Sequence, residues 1–458
     1  MPVSAKERAQ ADLVLTRLPG AAAYPEPGKW DDDDVDGVDY LYRKDTILTR
    51  EPDADRVVEA IIRILREAEP PPVYDDAAGP PPTSGQADRE PRIPRELVPG
   101  TRSVISLTVE SARISLLDIL DRLDRDVGDG VARLDHVVYV CPNICAATEP
   151  IVVPPGTDPV PPPGLNACGC RPCHGLPRPE CDGDGVFISI VDTGLIDDAA
   201  VGHPWLAGVG GTTDPVPGAG TTSTIGYDTG HGTFVAGVAR CMAPKVSAYV
   251  ERAFDYVGAN FETKLPPALN DALSHNPDIL EFTFCATTRA DVSLTTFDDF
   301  FENRIRYIKG LVVLAPAGND GKRRRTWPAA YPEVISVGAL SASWRDRAWF
   351  SNYGKWVDVF APGEDLINAF PAGTYVCMEP PASGGAPRVF EGMAKWSGTS
   401  FSTPVVAGLI AARMSSTGEN ARQAADALLR LAWSQAVPGL GAVLYPGQAC
   451  CEADCCRH

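Results

Sequence analysis

Four polar residues stand at the ends of apolar runs, where proteins usually hold reactive groups. In WSGTSFSTPVVAG (396–408) two small residues, Gly398 and Thr399, lead into Ser400, and the apolar run Val405, Val406, Ala407, Leu409, Ile410 follows. A serine entering a helix is either a cap or a nucleophile, because the unpaired N–H groups of that first turn serve both. In YDTGHGTFVAGVAR (227–240) His231 lies between Gly230 and Gly232, ahead of Phe234, Val235 and Val238. A helix beginning at His231 aims its imidazole out of the first turn; the plainer alternative is a partly buried surface histidine. VFISIV (186–191) ends in Asp192, and LVVLAPAGND (311–320) delivers Asn319 after Gly318.

Each residue has an ordinary use. Asp192 would cap a turn, and Gly-Asn-Asp-Gly is good turn chemistry for Asn319. Together they complete one reaction. Ser400 attacks a carbonyl, His231 takes its proton and returns it to the leaving amine, and Asp192 fixes the imidazole tautomer. The developing oxyanion sits between the Ser400 N–H and the Asn319 amide. A second Asp-Thr-Gly at 228–230 repeats that at 192–194 and suggests an aspartic dyad. The triplets are too close for a lobe between them, so that reading is rejected.

The elements that must carry these residues are legible as patterns. VFISIV (186–191), VSAYV (246–250), DILEF (278–282), LVVLA (311–315) and VISVGAL (334–340) are short apolar strands, with helical segments such as 265–274 between several of them. That alternation predicts an α/β domain with a mainly parallel sheet covered on both faces, over 183–435. Loops after the strand C-termini form the crevice of such a sheet, which is where Asp192 falls. Residues 1–140 read as a small α+β module: strands at 40–48, 103–109 and 131–140, a helix from Asp53 to Glu67 and another from Ser115 to Asp126. A Pro- and Gly-rich flexible insertion is expected within 68–100. A Pro/Cys-rich linker without a core is expected over 141–182, and a Cys-rich tail over 436–458.

These blocks resemble the subtilisin-like serine peptidases (subtilases): ISIVDTG, GHGTFVAGVA, APAGND and GTSFSTPVVAG, with YPEVISVGAL and FSNYGKWVDVFAPG beside them. The resemblance covers about residues 185–415. It implies a three-layer α/β/α domain, endopeptidase activity through an acyl-enzyme, Asp192, His231 and Ser400 as the triad, and Asn319 in the oxyanion hole. It also implies that substrate binds as an added edge strand at Thr283, Phe284 and Cys285, with Ala317 and Gly318 across the P1 pocket. There the chain departs from the family. Cys285 stands where glycine leaves room, Phe284 is bulkier than the usual leucine, and Glu281 adds a charge. The rival reading is a pseudo-protease or binding scaffold whose cleft Phe284 and Cys285 obstruct. A peptidase dedicated to one substrate, such as a precursor peptide, would also explain the altered pocket.

The N-terminal module matches the family's pro-region in size, position and β-α-β order, which implies a chaperone and inhibitor whose last strand feeds the active site. That strand ends at Val140, before Cys141-Pro142, and a proline after the scissile bond blocks cleavage. Maturation is therefore expected within 143–182, or the module stays attached as a regulatory domain. Thirteen cysteines cannot all pair within one chain. Cys168, Cys170, Cys173, His174 and Cys181 offer a thiolate and imidazole set for a structural zinc, and the same spacing suits disulfides or reduced thiols. Catalysis needs no cofactor. A net charge of −19 argues against nucleic acid and anionic membrane as partners and leaves protein or peptide substrates. The first residues carry Lys6, Glu7, Arg8 and Asp12 without an apolar signal region, and no run approaches a membrane span, so a cytoplasmic location is expected.

Overall fold

The structure, a computed structural model, describes residues 5–32, 37–68, 92–140, 148–164, 181–216, 224–254, 258–377 and 387–447. The first part of the chain runs α1 (Ala5–Arg17), β1 (Ala21–Tyr24), β2 (Tyr40–Arg50), α2 (Ala54–Ala68), β3 (Arg95–Leu97), β4 (Val104–Thr108), α3 (Leu116–Val127) and β5 (Ala132–Val140). Helix α2 buries Val57, Ile61, Ile64 and Leu65, and α3 buries Ile119, Leu120 and Leu123, against Ile47, Leu107 and Leu134 of the sheet. Ser115 starts α3 by accepting the Asp118 N–H at 3.1 Å. Sequence periodicity did not reveal α1. The Pro-rich stretch at 70–86 lies outside the described residues.

The remainder continues β6 (Ile151–Val152), β7 (Phe187–Asp192), α4 (Ala199–Gly202), β8 (Gly210–Gly211), β9 (Thr224–Ile225), α5 (His231–Met242), β10 (Ser247–Arg252), β11 (Ala259–Phe261) and α6 (Pro266–Ser274). It then runs through β12 (Ile279–Phe282), β13 (Phe284–Cys285), α7 (Thr295–Asn303), β14 (Val312–Pro316), β15 (Val334–Leu340) and β16 (Val359–Pro362). Last come β17 (Leu366–Tyr375), β18 (Arg388–Trp396), α8 (Thr399–Thr417) and α9 (Ala421–Ser434).

Strands β16-β15-β14-β12-β7-β10-β8 form a wholly parallel sheet. Apolar residues of α5, α8 and α9 pack with Ile188, Ile190, Ile279 and Leu314 on one face. Leu269 of α6 and Phe297 and Phe300 of α7 pack with Val191, Leu280 and Val313 on the other. The expected α/β/α layering is therefore present, with strands buried on both faces, which is why they read as continuous apolar runs.

The linker expected to form no core, and part of the tail, bond to the edges of sheets. Within the 141–182 linker, β6 pairs antiparallel with β18, and Val160 and Ile367 exchange two backbone bonds at 2.8 and 3.1 Å. Within the tail, Phe360 donates to Ala442 O and accepts from Leu444 N–H, both at 2.9 Å, and Val443 is buried. An existing sheet edge supplies partners, so neither stretch needs apolar periodicity of its own.

Strand β5 ties the first part of the chain to the rest. One edge pairs with β2; the other pairs antiparallel with β11 and β13. Residues Leu134 to Val140 are all buried. This junction also buries Asp135, whose carboxylate accepts the Thr263 N–H at 3.2 Å and hydroxyl at 2.8 Å. Burial, with Glu262 adding to it, pushes its pKa up to about 7; the Thr263 bonds and Arg43 oppose the rise. The folded state thus holds a proton that the unfolded chain releases near pH 4, so stability falls as pH rises from about 4 towards 7 and is then level. Asp135→Asn should remove that loss. Its melting temperature relative to the wild type is expected to climb between pH 5 and pH 8, corresponding to on the order of 2–4 kcal/mol. A constant difference in thermal melts across that range would refute the assignment.

Candidate functional site

The four residues singled out from sequence all fall at element ends on one side of the parallel sheet. Asp192 is the last residue of β7, His231 the first of α5, and Ser400 the second of α8; Asn319 follows β14. All four are fully buried, at 0 % exposure. Gly230 precedes α5 with φ +86°, a left-handed turn that a side chain would strain, and Pro371 Cδ would lie 2.3 Å from any Cβ there.

His231 Nδ1 lies 2.8 Å from Asp192 Oδ2 and 3.0 Å from Oδ1. Asp192 Oδ1 also accepts the Thr193 N–H at 2.5 Å. The imidazole packs against Phe401, the residue after Ser400, with centroids 5.0 Å apart, and meets the Trp396 ring edge-on at 5.4 Å. These contacts place the α5 start beside the α8 start. The Ser400 hydroxyl donates to Thr283 O at 3.3 Å. Asn319 Oδ1 accepts both the N–H and the hydroxyl of Thr399 at 2.9 Å, which fixes the amide plane. Its Nδ2 is buried with no hydrogen-bond partner and lies 3.8 Å from the position of a Cβ on Gly398. A buried amide donor left unpaired costs roughly 1–3 kcal/mol, so a ligand oxygen is its natural complement.

The candidate substrate strand is also in place. Thr283, Phe284 and Cys285 line one side of a slot and β11 the other; Tyr139 pairs with both Cys285 and Ala259, and Val140 with Phe284. Val140 N–H donates to Gly258 O at 2.7 Å. Phe284 does not project into this slot. It packs against Phe254, Phe282 and Phe297 with centroids 5.2, 5.1 and 5.9 Å away. Cys285 is a free, buried thiol beside Val137, Tyr139 and Ala259. Ala317 and Gly318 are buried next to α8, with Gly318 N–H donating to Thr399 Oγ1 at 3.1 Å.

Glu281 differs from the sequence expectation. It was expected to add a charge to the pocket, but it pairs with Ile190 in the sheet register and so lies on the same face as Asp192, two residues lower. Burial, then the Asp192 charge, raises its pKa well above the carboxylate range, and neither oxygen has a hydrogen-bond partner. Glu281 is therefore a neutral acid beneath the site. Sequence reasoning also missed Asp214 and Trp396; the former stands in a Pro-rich loop, and the latter reads as an ordinary core aromatic.

Among the described residues no group of three or more His, Cys, Asp or Glu could hold a metal. Of the proposed zinc set, Cys181 is disulfide-bonded, which withdraws its thiolate from coordination; Cys168, Cys170, Cys173 and His174 lie outside the described residues. No described helix is long and apolar enough to cross a membrane.

Comparison with known proteins places this geometry. The model of the subtilase family matches residues 183–436. A thermophilic serine proteinase of Bacillus sp. (strain AK1) is 35% identical over 203 residues, 42% of this chain and 43% of that protein. Subtilisin NAT of Bacillus subtilis subsp. natto is 32% identical over 244 residues, 50% of this chain and 55% of its own length. The chain thus spans about half the length of these relatives. Fervidolysin from Fervidobacterium pennivorans, a keratinolytic enzyme related to subtilisin, superposes with a TM-score of 0.54 at 17% identity, covering 89% of this chain and 61% of that one. That likeness concerns the fold.

Proposed function

The chain belongs to the subtilase family, and from that premise we propose that it is a serine endopeptidase whose nucleophile is Ser400. His231 acts as general base and then general acid, Asp192 holds the imidazole with Nδ1 protonated, and the ester formed on Ser400 is hydrolysed by water. Asn319 Nδ2 and the N–H groups of the α8 start receive the oxyanion. The observation that carries this reading is the Asn319 amide: its oxygen is locked to Thr399 and its buried nitrogen is unspent. A scaffold that only binds has no reason to keep such a donor unsatisfied.

Protein or peptide substrates would add as a strand between β11 and β13. Residues Val137 to Val140 occupy that slot, which supports the first 140 residues as an inhibitory module. Val140 pairs with Phe284, the neighbour of Thr283, whose carbonyl the Ser400 hydroxyl contacts. In sequence Cys141-Pro142 follow, and a proline after a scissile bond protects it. The module then persists as an inhibitor unless the chain is cut further on, within 143–182.

A fluorophosphonate probe tests the assignment. It should phosphonylate one residue, with the adduct mapped by mass spectrometry to the peptide carrying Ser400. Labelling is expected to be slow in the full chain and faster after limited proteolysis. An adduct on another serine, or none in either form, overturns the reading.

A further inference from the structure

Asp192 and His231 sit on separate elements, and nothing in either element fixes their mutual distance. The turn Asp192-Thr193-Gly194 and the turn Asp228-Thr229-Gly230 must be held together by something else. The Ile196 N–H donates to the Thr233 hydroxyl of α5 at 2.9 Å; the link that reaches the turn before His231 is Asp214, a 2 % exposed residue of the stretch after β8. Its Oδ2 accepts the Thr193 hydroxyl at 2.9 Å and the Gly230 N–H at 2.7 Å. The Thr193 oxygen in turn accepts the Gly232 N–H at 3.2 Å. One carboxylate oxygen thus receives both the residue after Asp192 and the residue before His231, and a hydroxyl relay adds the residue after His231. The approach is close: a Cβ on Gly232 would lie 2.4 Å from Gly194 O and 3.1 Å from Asp192 Cβ.

We propose that Asp214 is a positioning residue of the reaction, clamping the Asp192 turn to the His231 helix start through Thr193 and Gly230. It touches neither substrate nor the reacting atoms. The inference rests on the proposed triad and adds to it the group that sets the Asp192–His231 distance.

The clamp depends on charge, because an ionised oxygen accepts two bonds better than a protonated one. Burial pushes the Asp214 pKa up to about 6; the Gly230 and Thr193 bonds pull it down, Asp192 raises it and Arg252 lowers it. The other titratable groups on the surrounding elements are His231 on α5, Asp228 in the turn before it, Asp197 bonded to Thr213, and Glu251 on β10 bonded to Thr212. Loss of the carboxylate near pH 6 weakens both bonds and loosens the pair. The acid limb of kcat/KM therefore includes the Asp214 ionisation, which steepens it.

Asp214→Asn retains a carbonyl oxygen that can accept both bonds and has no charge to lose. It should keep kcat at pH 8 within about threefold while the acid limb loses that ionisation and becomes less steep than in the wild type. Asp214→Ala should lower kcat at pH 8 by on the order of 30-fold with KM changed less than about threefold. A second readout needs no turnover: the downfield proton resonance of His231 Nδ1–H in the full chain. It should persist in Asp214→Asn and broaden away in Asp214→Ala. If the wild type shows this resonance and its loss in Asp214→Ala but no Ser400-dependent hydrolysis, the clamp stands and the peptidase assignment fails. If Asp214→Ala does not fold, Asp214→Asn decides alone. A pH profile of Asp214→Asn that superimposes on the wild type, or an Asp214→Ala variant with wild-type kcat and resonance, overturns the proposal.

Discussion

Replacing Ser400 with alanine is expected to lower peptide hydrolysis by about 10⁶-fold, the scale seen when the triad serine is removed from subtilisin. The size follows from the mechanism. Without the hydroxyl no acyl-enzyme forms, and only strand binding and the Asn319 donor remain to assist attack by water, a residue of roughly 10³–10⁴ over the uncatalysed reaction. The same substitution should hardly affect folding. The Ser400 hydroxyl bonds Thr283 O at 3.3 Å, and such a neutral bond is worth about 1 kcal/mol. Thermal melts should therefore coincide within a few degrees while hydrolysis of a chromogenic peptide at pH 8 disappears. Because Val137 to Val140 fill the slot, both proteins are compared after identical limited proteolysis. Wild-type rates in Ser400→Ala would mean that another group attacks the carbonyl.

The reactive residues were legible because each stands at a transition the sequence marks. Asp192, Asn319 and Ser400 close apolar runs or open them, and His231 lies between Gly232 and Gly230, whose left-handed turn the backbone requires. What escaped had no such marking. Strand β11 is three residues long, too short for an alternation to register, yet it forms one wall of the candidate substrate slot. The pairing of Ile151–Val152 with β18 and of Val160 with Ile367 of β17 depends on partners far along the chain. Asp214 lies in Thr-Thr-Asp-Pro, where an acidic residue reads as a solvated turn; only the closure of two distant turns onto it reveals its use. Glu281 is the sharpest case. Its identity was noticed, but its protonation follows from the β7–β12 register that sets it below Asp192, and no local pattern carries that register.

That neutral Glu281 bears on the second large effect. Asp192→Asn should lower kcat by about 10⁴-fold with KM changed little. The carboxylate accepts the Nδ1 proton of His231, which leaves Nε2 free to accept from the Ser400 hydroxyl. An asparagine amide can instead donate to Nδ1, which selects the tautomer protonated at Nε2 and removes the base. The position itself should survive, since the asparagine oxygen can keep the Thr193 N–H bond now made at 2.5 Å. Glu281 offers no substitute charge, because desolvation, the larger cause of its raised pKa, is unchanged when Asp192 becomes neutral. Asp192 is thus the charge that faces Nδ1 of the imidazole. Stopped assays at pH 8 on folded Asp192→Asn should return the 10⁴-fold loss in kcat, and raising the pH to 10 should restore at most a small part of it. Near-wild-type turnover in this variant would show that Glu281 ionises and takes over, contradicting both the neutral-acid assignment and the role given to Asp192.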